Sequence, residues 1–156
     1  MSEPIGVISI PSDEDGFVLM QCPLCGEFFG LRTEDIEAED VIEIWCPCCG
    51  LKSETYFTKD VIELALKKSE NYAMDRIYDE FKKIERKTRH SLVSFKAGKK
   101  PSHREEYPIR NGIENMDITL YPCCNRKAKI KAMYKICGSY CPFYGVRYDE
   151  YCQKAT

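Results

Sequence analysis

The sequence predicts a small α+β protein in which two β-rich ends flank a helical middle. Cysteine pairs in turn-forming contexts occur near both ends of the 156-residue chain. β-branched and aromatic residues, which are typical of short strands, surround these pairs. Between them, apolar residues recur at helical spacing from about residue 61 to about residue 84. The predicted segments are residues 1–57, 58–95, 96–117 and 118–156.

Residues 1–57 are predicted to form an N-terminal β unit. Residues 5–10 have the composition of a strand, and residues 17–21 lead into the first cysteine pair as a second strand. Residues 34–40 are acidic and predict a loop or a single helical turn. Residues 41–45 predict a strand that feeds the second cysteine pair, and residues 53–57 predict another strand after it.

The strongest motif consists of two CxxC pairs separated by twenty residues, Cys22/Cys25 and Cys46/Cys49. Two residues between thiolates let the chain fold over a metal in a tight turn, and the glycine after each pair can adopt the positive φ that this turn needs. Two such turns supply the closed tetrahedral ligand set of a structural zinc site. Two disulfides are the alternative. Cys48 is either a spare thiol or an alternative ligand to Cys49.

Residues 17–57 resemble the zinc ribbon, or rubredoxin-knuckle, superfamily. The resemblance depends on the two CxxC pairs, the prolines Pro23 and Pro47 inside them, and the glycines that follow them. It implies a local β fold that binds Zn²⁺, and it implies no single activity. Because zinc ribbons often serve in transcription and RNA machinery, it also favours a role near nucleic acids.

Residues 58–95 predict a helical segment. Thr58 can cap a helix that begins at Lys59, and Asp60 suits the first turn. Residues 69–71 either break this helix or only make it more polar. Its apolar stripe is predicted to face the core, and an exposed groove for a partner is the alternative. The stripe consists of Val61, Ile62, Ala65, Leu66, Ala73, Ile77, Phe81 and Ile84.

Residues 96–117 predict an exposed basic linker. Between positions 82 and 104 there are nine Lys or Arg residues and one acidic residue. The linker is either a flexible tether or a loop that binds phosphate, with Lys99 and Lys100 as candidate contacts. His90 and His103 are expected to be solvated side chains.

Residues 118–156 match the N-terminal unit as an altered internal repeat, and so predict a degenerate zinc ribbon. Tyr121 and Tyr144 stand at two of its four ligand positions, and tyrosinate is a poor zinc ligand because the phenol pKa is near 10. Two alternatives remain open: a metal-free unit packed by its tyrosines, or a second zinc site. That site would use Cys124, Cys137 and Cys141 with either Cys123 or Cys152.

Charge is distributed unevenly along the chain. The net charge is −2, but residues 1–60 contain 13 acidic and 3 basic residues, whereas residues 61–156 contain 12 acidic and 20 basic residues. The two regions either attract each other, within one molecule or between copies that self-associate, or the basic region binds an external polyanion. Lysines alternating along a predicted strand put three ammonium groups on one face. The candidate nucleic-acid or partner contacts here are Arg126, Lys127, Lys129, Lys131, Lys135 and Arg147.

These observations favour a non-enzymatic cytoplasmic protein that binds nucleic acid or a complex that handles nucleic acid. The expected cytoplasmic location follows from CxxC pairs without a signal peptide or membrane span. A protein–protein adaptor with an acidic and a basic face is the alternative. A thiol redox enzyme or other enzyme is a third hypothesis, disfavoured because a closed four-thiolate set has no open coordination position.

Overall fold

A computed structural model describes residues 4–149 of this protein. The fold is α+β, as the sequence predicts, with antiparallel strands and one long helix. No helix of these residues is long and apolar enough to cross a membrane. The elements in chain order are β1 (Phe17–Gln21), β2 (Phe28–Arg32), α1 (Thr33–Ile36), α2 (Lys59–Thr88), β3 (Met116–Tyr121), β4 (Arg126–Lys131), α3 (Ala132–Cys137), β5 (Ser139–Tyr140) and β6 (Arg147–Tyr148).

The chain divides into two compact units, which are described separately. The helix unit comprises Met1–Ser9 and Asp60–Pro108 and is built on α2. The sheet unit comprises Ile10–Lys59 and Ile109–Thr156. The regions predicted as an N-terminal ribbon and a degenerate C-terminal ribbon therefore contribute to one body.

The sheet unit is organised around a four-stranded antiparallel sheet with the order β1-β2-β4-β3. β2 and β4 join the two cysteine-rich regions through the pairs Gly30↔Lys129 and Leu31↔Ala128. The alternation predicted for residues 127–132 is confirmed within β4, where Ala128 and Ile130 are fully buried while the lysines between them are not. It is wrong at Ala132, which begins α3 and is exposed because the strand ends at Lys131. The core beneath this sheet contains Phe29, Leu31, Tyr56, Tyr121, Ala128, Ile130 and Phe143.

Three strands predicted from the sequence are absent from the described structure, namely those at residues 5–10, 41–45 and 53–57. Trp45 forms only an isolated bridge with Lys52. In the second and third of these segments, backbone groups bond to a cysteine turn and to β1 instead of to a ladder: Trp45 N–H donates to the Pro142 carbonyl (2.7 Å), and Gln21 N–H donates to the Tyr56 carbonyl (2.9 Å). In the first segment the Val7 carbonyl accepts a hydrogen bond from the Lys68 ammonium at 3.5 Å. Strand propensity was overridden by these distant partners.

The helix α2 runs unbroken for 30 residues, so the break considered at residues 69–71 does not occur. The Ser69 hydroxyl donates to the Ala65 carbonyl at 2.9 Å, which leaves the helical ladder intact. The Asn71 side chain is buried and points away from the helix, where its amide donates to the Arg104 carbonyl (3.1 Å) and its oxygen accepts from Arg104 N–H (2.8 Å). Both polar side chains are therefore satisfied without a kink.

The prediction that the apolar stripe of α2 faces the core is wrong for most of its length. Val61 is buried, but Ile62, Leu66, Ile77, Phe81 and Ile84 are between 43% and 59% exposed. The side of α2 that is covered carries Asn71 and meets residues 104–107, including a contact of the Lys67 ammonium with the Tyr107 ring at 4.3 Å.

The basic stretch after α2 is exposed, as predicted, but several of its side chains are engaged. His103 Nε2 and the Lys100 ammonium both lie 2.9 Å from the Asp75 carboxylate, and the Arg104 guanidinium lies 3.0 Å from Glu70. These ion pairs hold residues 100–104 along α2. Lys99 forms no ion pair with the described residues.

Candidate metal centres

Four tight turns in the sheet unit share one backbone geometry. In each, the carbonyl of the first residue accepts a hydrogen bond from the N–H four residues later. The pairs are Cys22 with Gly26 (2.8 Å), Cys46 with Gly50 (2.9 Å), Tyr121 with Asn125 (2.8 Å) and Cys141 with Gly145 (2.8 Å).

The last residue of each turn has a positive φ, with values of 76° at Gly26, 73° at Gly50, 56° at Asn125 and 68° at Gly145. Glycine reaches this region without a Cβ clash, and asparagine tolerates it better than most other residues. The turn from Tyr121 to Asn125 has this conformation although its first and last residues are not a cysteine and a glycine.

The first two turns bring four cysteines together. The Sγ atoms of Cys22, Cys25, Cys46 and Cys49 all lie within 4.8 Å of one another. The Cys22–Cys49 and Cys25–Cys46 sulfur pairs are 3.8 and 3.7 Å apart, and all four cysteines are free. The structure therefore has no disulfide here, and this four-cysteine group can hold a metal ion.

Backbone N–H groups point at these sulfurs in a regular pattern. Leu24 and Cys25 donate to the Cys22 sulfur, and Cys48 and Cys49 donate to the Cys46 sulfur. Burial raises the pKa of Cys25, whereas contact with the Cys48 thiol, followed by burial, raises the pKa of Cys46. A divalent cation would supply the positive charge that these crowded thiolates need.

The second pair of turns brings three cysteines together. The Sγ atoms of Cys123, Cys124 and Cys141 lie within 4.8 Å of one another, and the Cys124–Cys141 distance is 3.5 Å. This three-cysteine group can also hold a metal ion. Cys137 is exposed at the end of α3 and is not part of it, whereas Cys152 lies outside the described residues. Adjacent Cys123 and Cys124 converge because they lie in a turn, and not in a strand where consecutive side chains diverge.

The two tyrosines that the sequence comparison aligns with ligand positions have different surroundings. Tyr121 is fully buried, and its hydroxyl donates to the Ser139 Oγ at 3.0 Å. Burial raises the pKa of Tyr121 well above its ordinary value, so its phenol stays neutral. Tyr144 is half-exposed.

The sheet unit consists of two halves, residues 10–59 and residues 109–149. The second turn of each half contacts the other half, and the two contacts are reciprocal. Trp45 N–H donates to the Pro142 carbonyl (2.7 Å), and Tyr140 N–H donates to the Pro47 carbonyl (2.9 Å). A Cβ added at Gly50 would lie 2.8 Å from the Tyr140 ring, and one added at Gly145 would lie 2.8 Å from the Trp45 ring. Each glycine thus lets an aromatic ring of the other half approach the turn.

Three of the basic residues proposed as partner contacts form ion pairs inside the sheet unit. Arg126 lies 2.6 Å from Asp40, and Lys131 lies 2.6 Å from Glu27. The Lys129 ammonium lies 2.7 Å from Asp13 and 2.5 Å from Asp15. The acidic and basic regions of the sequence therefore attract each other within this unit. Lys127, Lys135 and Arg147 form no ion pair with any carboxylate of residues 4–149.

Replacing Lys129 with methionine is expected to destabilise the sheet unit by about 1.5–3 kcal/mol, because two carboxylates lose a charged hydrogen-bond donor. Partial burial raises the pKa of Asp13, but hydrogen bonds from Lys129 and from backbone N–H groups bring it below its ordinary value of 3.8. Because its pKa is lowered on folding, the Asp13 carboxylate stabilises the folded state above pH 3.8. This stabilisation is lost as the pH falls through the lowered pKa. The gap between wild type and variant, measured by urea unfolding, should therefore shrink below pH 3.8.

The matched control is Lys127→Met, which changes a neighbouring lysine without an ion pair and is expected to stay within about 0.5 kcal/mol of wild type. Equal losses in the two variants would contradict the assigned role of the Lys129 pairs.

Sequence reasoning did not identify the carboxylates Asp13, Asp40 and Glu27 as partners of the basic strand. The unequal charge of the two regions was the available signal, but the pairing depends on the β2–β4 register. No protein-family model, no curated protein and no solved structure matches this chain, so the two cysteine groups are assigned from its own geometry.

Proposed function

We propose that this chain is a non-enzymatic zinc-ribbon protein whose four-cysteine group holds Zn²⁺ as a structural ion. The observation that carries this proposal is the sulfur spacing. Four thiolates at about 2.3 Å from a zinc ion in a tetrahedron lie about 3.8 Å from one another. The Cys22–Cys49 and Cys25–Cys46 distances of 3.8 and 3.7 Å agree with that value.

The ligand set favours a structural ion over a catalytic one. Four protein thiolates fill a tetrahedral coordination sphere and leave no position for water or substrate. When bound, the zinc neutralises the thiolates and cross-links residues 22–25 to residues 46–49. Elemental analysis of the purified chain should find zinc, and its loss from a variant of the four-cysteine group would assign the ion to this site.

The shared turn geometry supports a duplication of one ribbon. Each half has a strand, a turn, a second strand and a short helix in the same order, and the second turns contact each other reciprocally. In this proposal the second copy has lost two ligand positions, at Tyr121 and Tyr144, while keeping the backbone of its turns.

The partner is best sought among proteins, because α2 carries an exposed apolar stripe. Ile62, Ala73 and Ile84 recur every eleven residues, as do Leu66 and Ile77. A period of eleven keeps residues on one side of a helix, so the stripe runs almost straight for about 33 Å. Exposed contiguous apolar surface of this kind marks interaction sites in many proteins.

Nucleic acid is the second candidate partner, favoured by the zinc-ribbon resemblance and by the cations without ion pairs. Among residues 4–149, these cations include Lys99, Lys127, Lys135 and Arg147, in contrast to the paired Arg126, Lys129 and Lys131. The intramolecular pairs of Arg126, Lys129 and Lys131 weigh against the lysine ladder as a phosphate-binding face, since a phosphate would have to compete with carboxylates already in contact.

Co-purification with and without nuclease treatment tests the two candidates. A protein partner should survive nuclease and be lost from the double variant Leu66→Glu/Ile77→Glu. The matched control is Lys127→Glu/Lys135→Glu, which should retain that partner. Loss of all bound material after nuclease, together with binding that weakens steeply between about 50 and 200 mM salt, would overturn the protein-partner proposal in favour of nucleic acid.

A further inference from the structure

We propose that the three-cysteine group is a second metal site, in which Cys123, Cys124 and Cys141 bind one thiophilic metal ion whose fourth coordination position receives no ligand from residues 4–149. This site is separate from the structural zinc site. It would differ in chemistry from the four-cysteine group, because its ion could take an external ligand.

The sulfur geometry supports the site first. The Cys124–Cys141 distance of 3.5 Å is close to the 3.7 Å between Cys25 and Cys46, which occupy the equivalent positions in the other half. Cys123 adds a third sulfur within 4.8 Å of both. The residue equivalent to Cys123 in the first turn is Leu24, which has no sulfur. The second half has therefore lost two ligand positions and gained a thiol at a new one.

The backbone around these sulfurs supports the site independently. N–H groups of Phe143 and Tyr144 point at the Cys141 sulfur, as those of Cys48 and Cys49 point at Cys46. Such donors stabilise thiolates and orient them. The Arg126 N–H likewise points at the Cys124 sulfur, as the Glu27 N–H points at Cys25. Two of the three sulfurs, Cys124 and Cys141, therefore have the same backbone donors as their counterparts in the four-cysteine group.

No fourth protein sulfur completes the set among the described residues. Tyr121 turns its hydroxyl to Ser139, away from a ligand role, and Cys137 is exposed and outside the group. Tyr144 stands where Cys49 stands in the other half and is half-exposed. Three protein ligands with one position for water or another small ligand is the arrangement of an open metal site.

The chemistry of three thiolates defines the class of ion. Soft sulfur ligands favour Zn²⁺, Cd²⁺ and Cu⁺ over hard oxygen-preferring ions such as Mg²⁺ and Ca²⁺. The open position can accept water or an external thiolate. Since Cys123 is exposed and only Cys141 is fully buried, the ion is accessible from solvent and should exchange more readily than the ion in the four-cysteine group.

Metal loading of the full chain tests this site. The reduced, metal-free protein is refolded with Cd²⁺ under a phosphine reductant, because a thiol reductant would itself occupy the open position. Native mass spectrometry should then count two ions per wild-type chain and one ion in Cys123→Ser. The matched control is Cys137→Ser, which also removes an exposed thiol of the same half and should retain two ions.

Cadmium NMR, as a further readout, separates the signals of the two sites. Cadmium NMR should give two resonances in the wild type, of which only the one from the three-cysteine group shifts when a small thiol is added. One ion per wild-type chain, or two ions in Cys123→Ser with an unchanged spectrum, would overturn the proposal. The resonance that remains in Cys123→Ser and does not shift with added thiol belongs to the four-cysteine group. Its absence would report failure of that group alone, so failure of either site is distinguishable from failure of the other.

Discussion

Replacing Cys46 with serine is expected to abolish the cooperative unfolding transition of the sheet unit. Cys46 is fully buried and faces three other sulfurs, so its loss removes one of the four ligands of the site. A structural zinc contributes about 10–16 kcal/mol of apparent binding energy, which is comparable to the whole net stability of a domain at about 5–15 kcal/mol. The variant should therefore bind less than one zinc ion and melt without a sharp transition.

The matched control is Cys48→Ser, which changes the adjacent turn residue but leaves the four-cysteine group complete. It should bind zinc and melt close to the wild-type temperature, as measured by circular dichroism and elemental analysis. Loss of zinc from Cys48→Ser would mean that Cys48 is itself a ligand of this turn. A strong chelator should reproduce the effect of Cys46→Ser on wild-type protein, and a melting temperature unchanged by the chelator would refute the metal's structural role.

Substituting alanine for Gly145 is expected to destabilise the sheet unit by about 3 kcal/mol. A left-handed conformation costs a residue with a Cβ roughly 1–2 kcal/mol, and overpacking adds about 1–3 kcal/mol. Both costs apply at Gly145, where φ is 68° and an added Cβ would lie 2.8 Å from the Trp45 ring. Gly50→Ala should behave similarly, because its Cβ would lie 2.8 Å from the Tyr140 ring.

Gly26→Ala separates the two costs. Gly26 also has a positive φ, at 76°, but nothing lies within 4 Å of an added Cβ. It should lose only the conformational part, about 1–2 kcal/mol, in denaturant unfolding of the metal-loaded protein. If Gly26→Ala and Gly145→Ala lost the same free energy of unfolding, the contact of Gly145 with the Trp45 ring would make no measurable contribution to stability.

The four-cysteine group could be predicted because its information is local. A CxxC pair followed by glycine determines its own turn, and the number of such pairs determines the ligand set. The second group was harder, because the sequence suggested Cys137 as a ligand and left Cys123 and Cys152 as alternatives, whereas the structure leaves Cys137 outside the group. Only the turn at Cys123 places that sulfur beside Cys124 and Cys141.

Features that depend on distant contacts could not be predicted. Residues 41–45 have strand composition, yet Trp45 bonds to Pro142, which is far away in the sequence. Asn71 suggested a possible helix break, yet it is satisfied by Arg104 beside the helix. Periodicity placed α2 correctly but could not say which side would be covered, since both sides contain apolar residues.

The pairing of β2 with β4 has a consequence for the order of folding. Gly30 pairs with Lys129, a residue 99 positions later, and the whole of Asp60–Pro108 lies between them. Closing so long a loop is entropically costly, and the cost falls when the intervening chain is already compact. Contacts between residues this far apart also slow folding. During synthesis both CxxC pairs emerge long before β4, so the edge of β2 has no strand partner from β4 until residues 126–131 have been made.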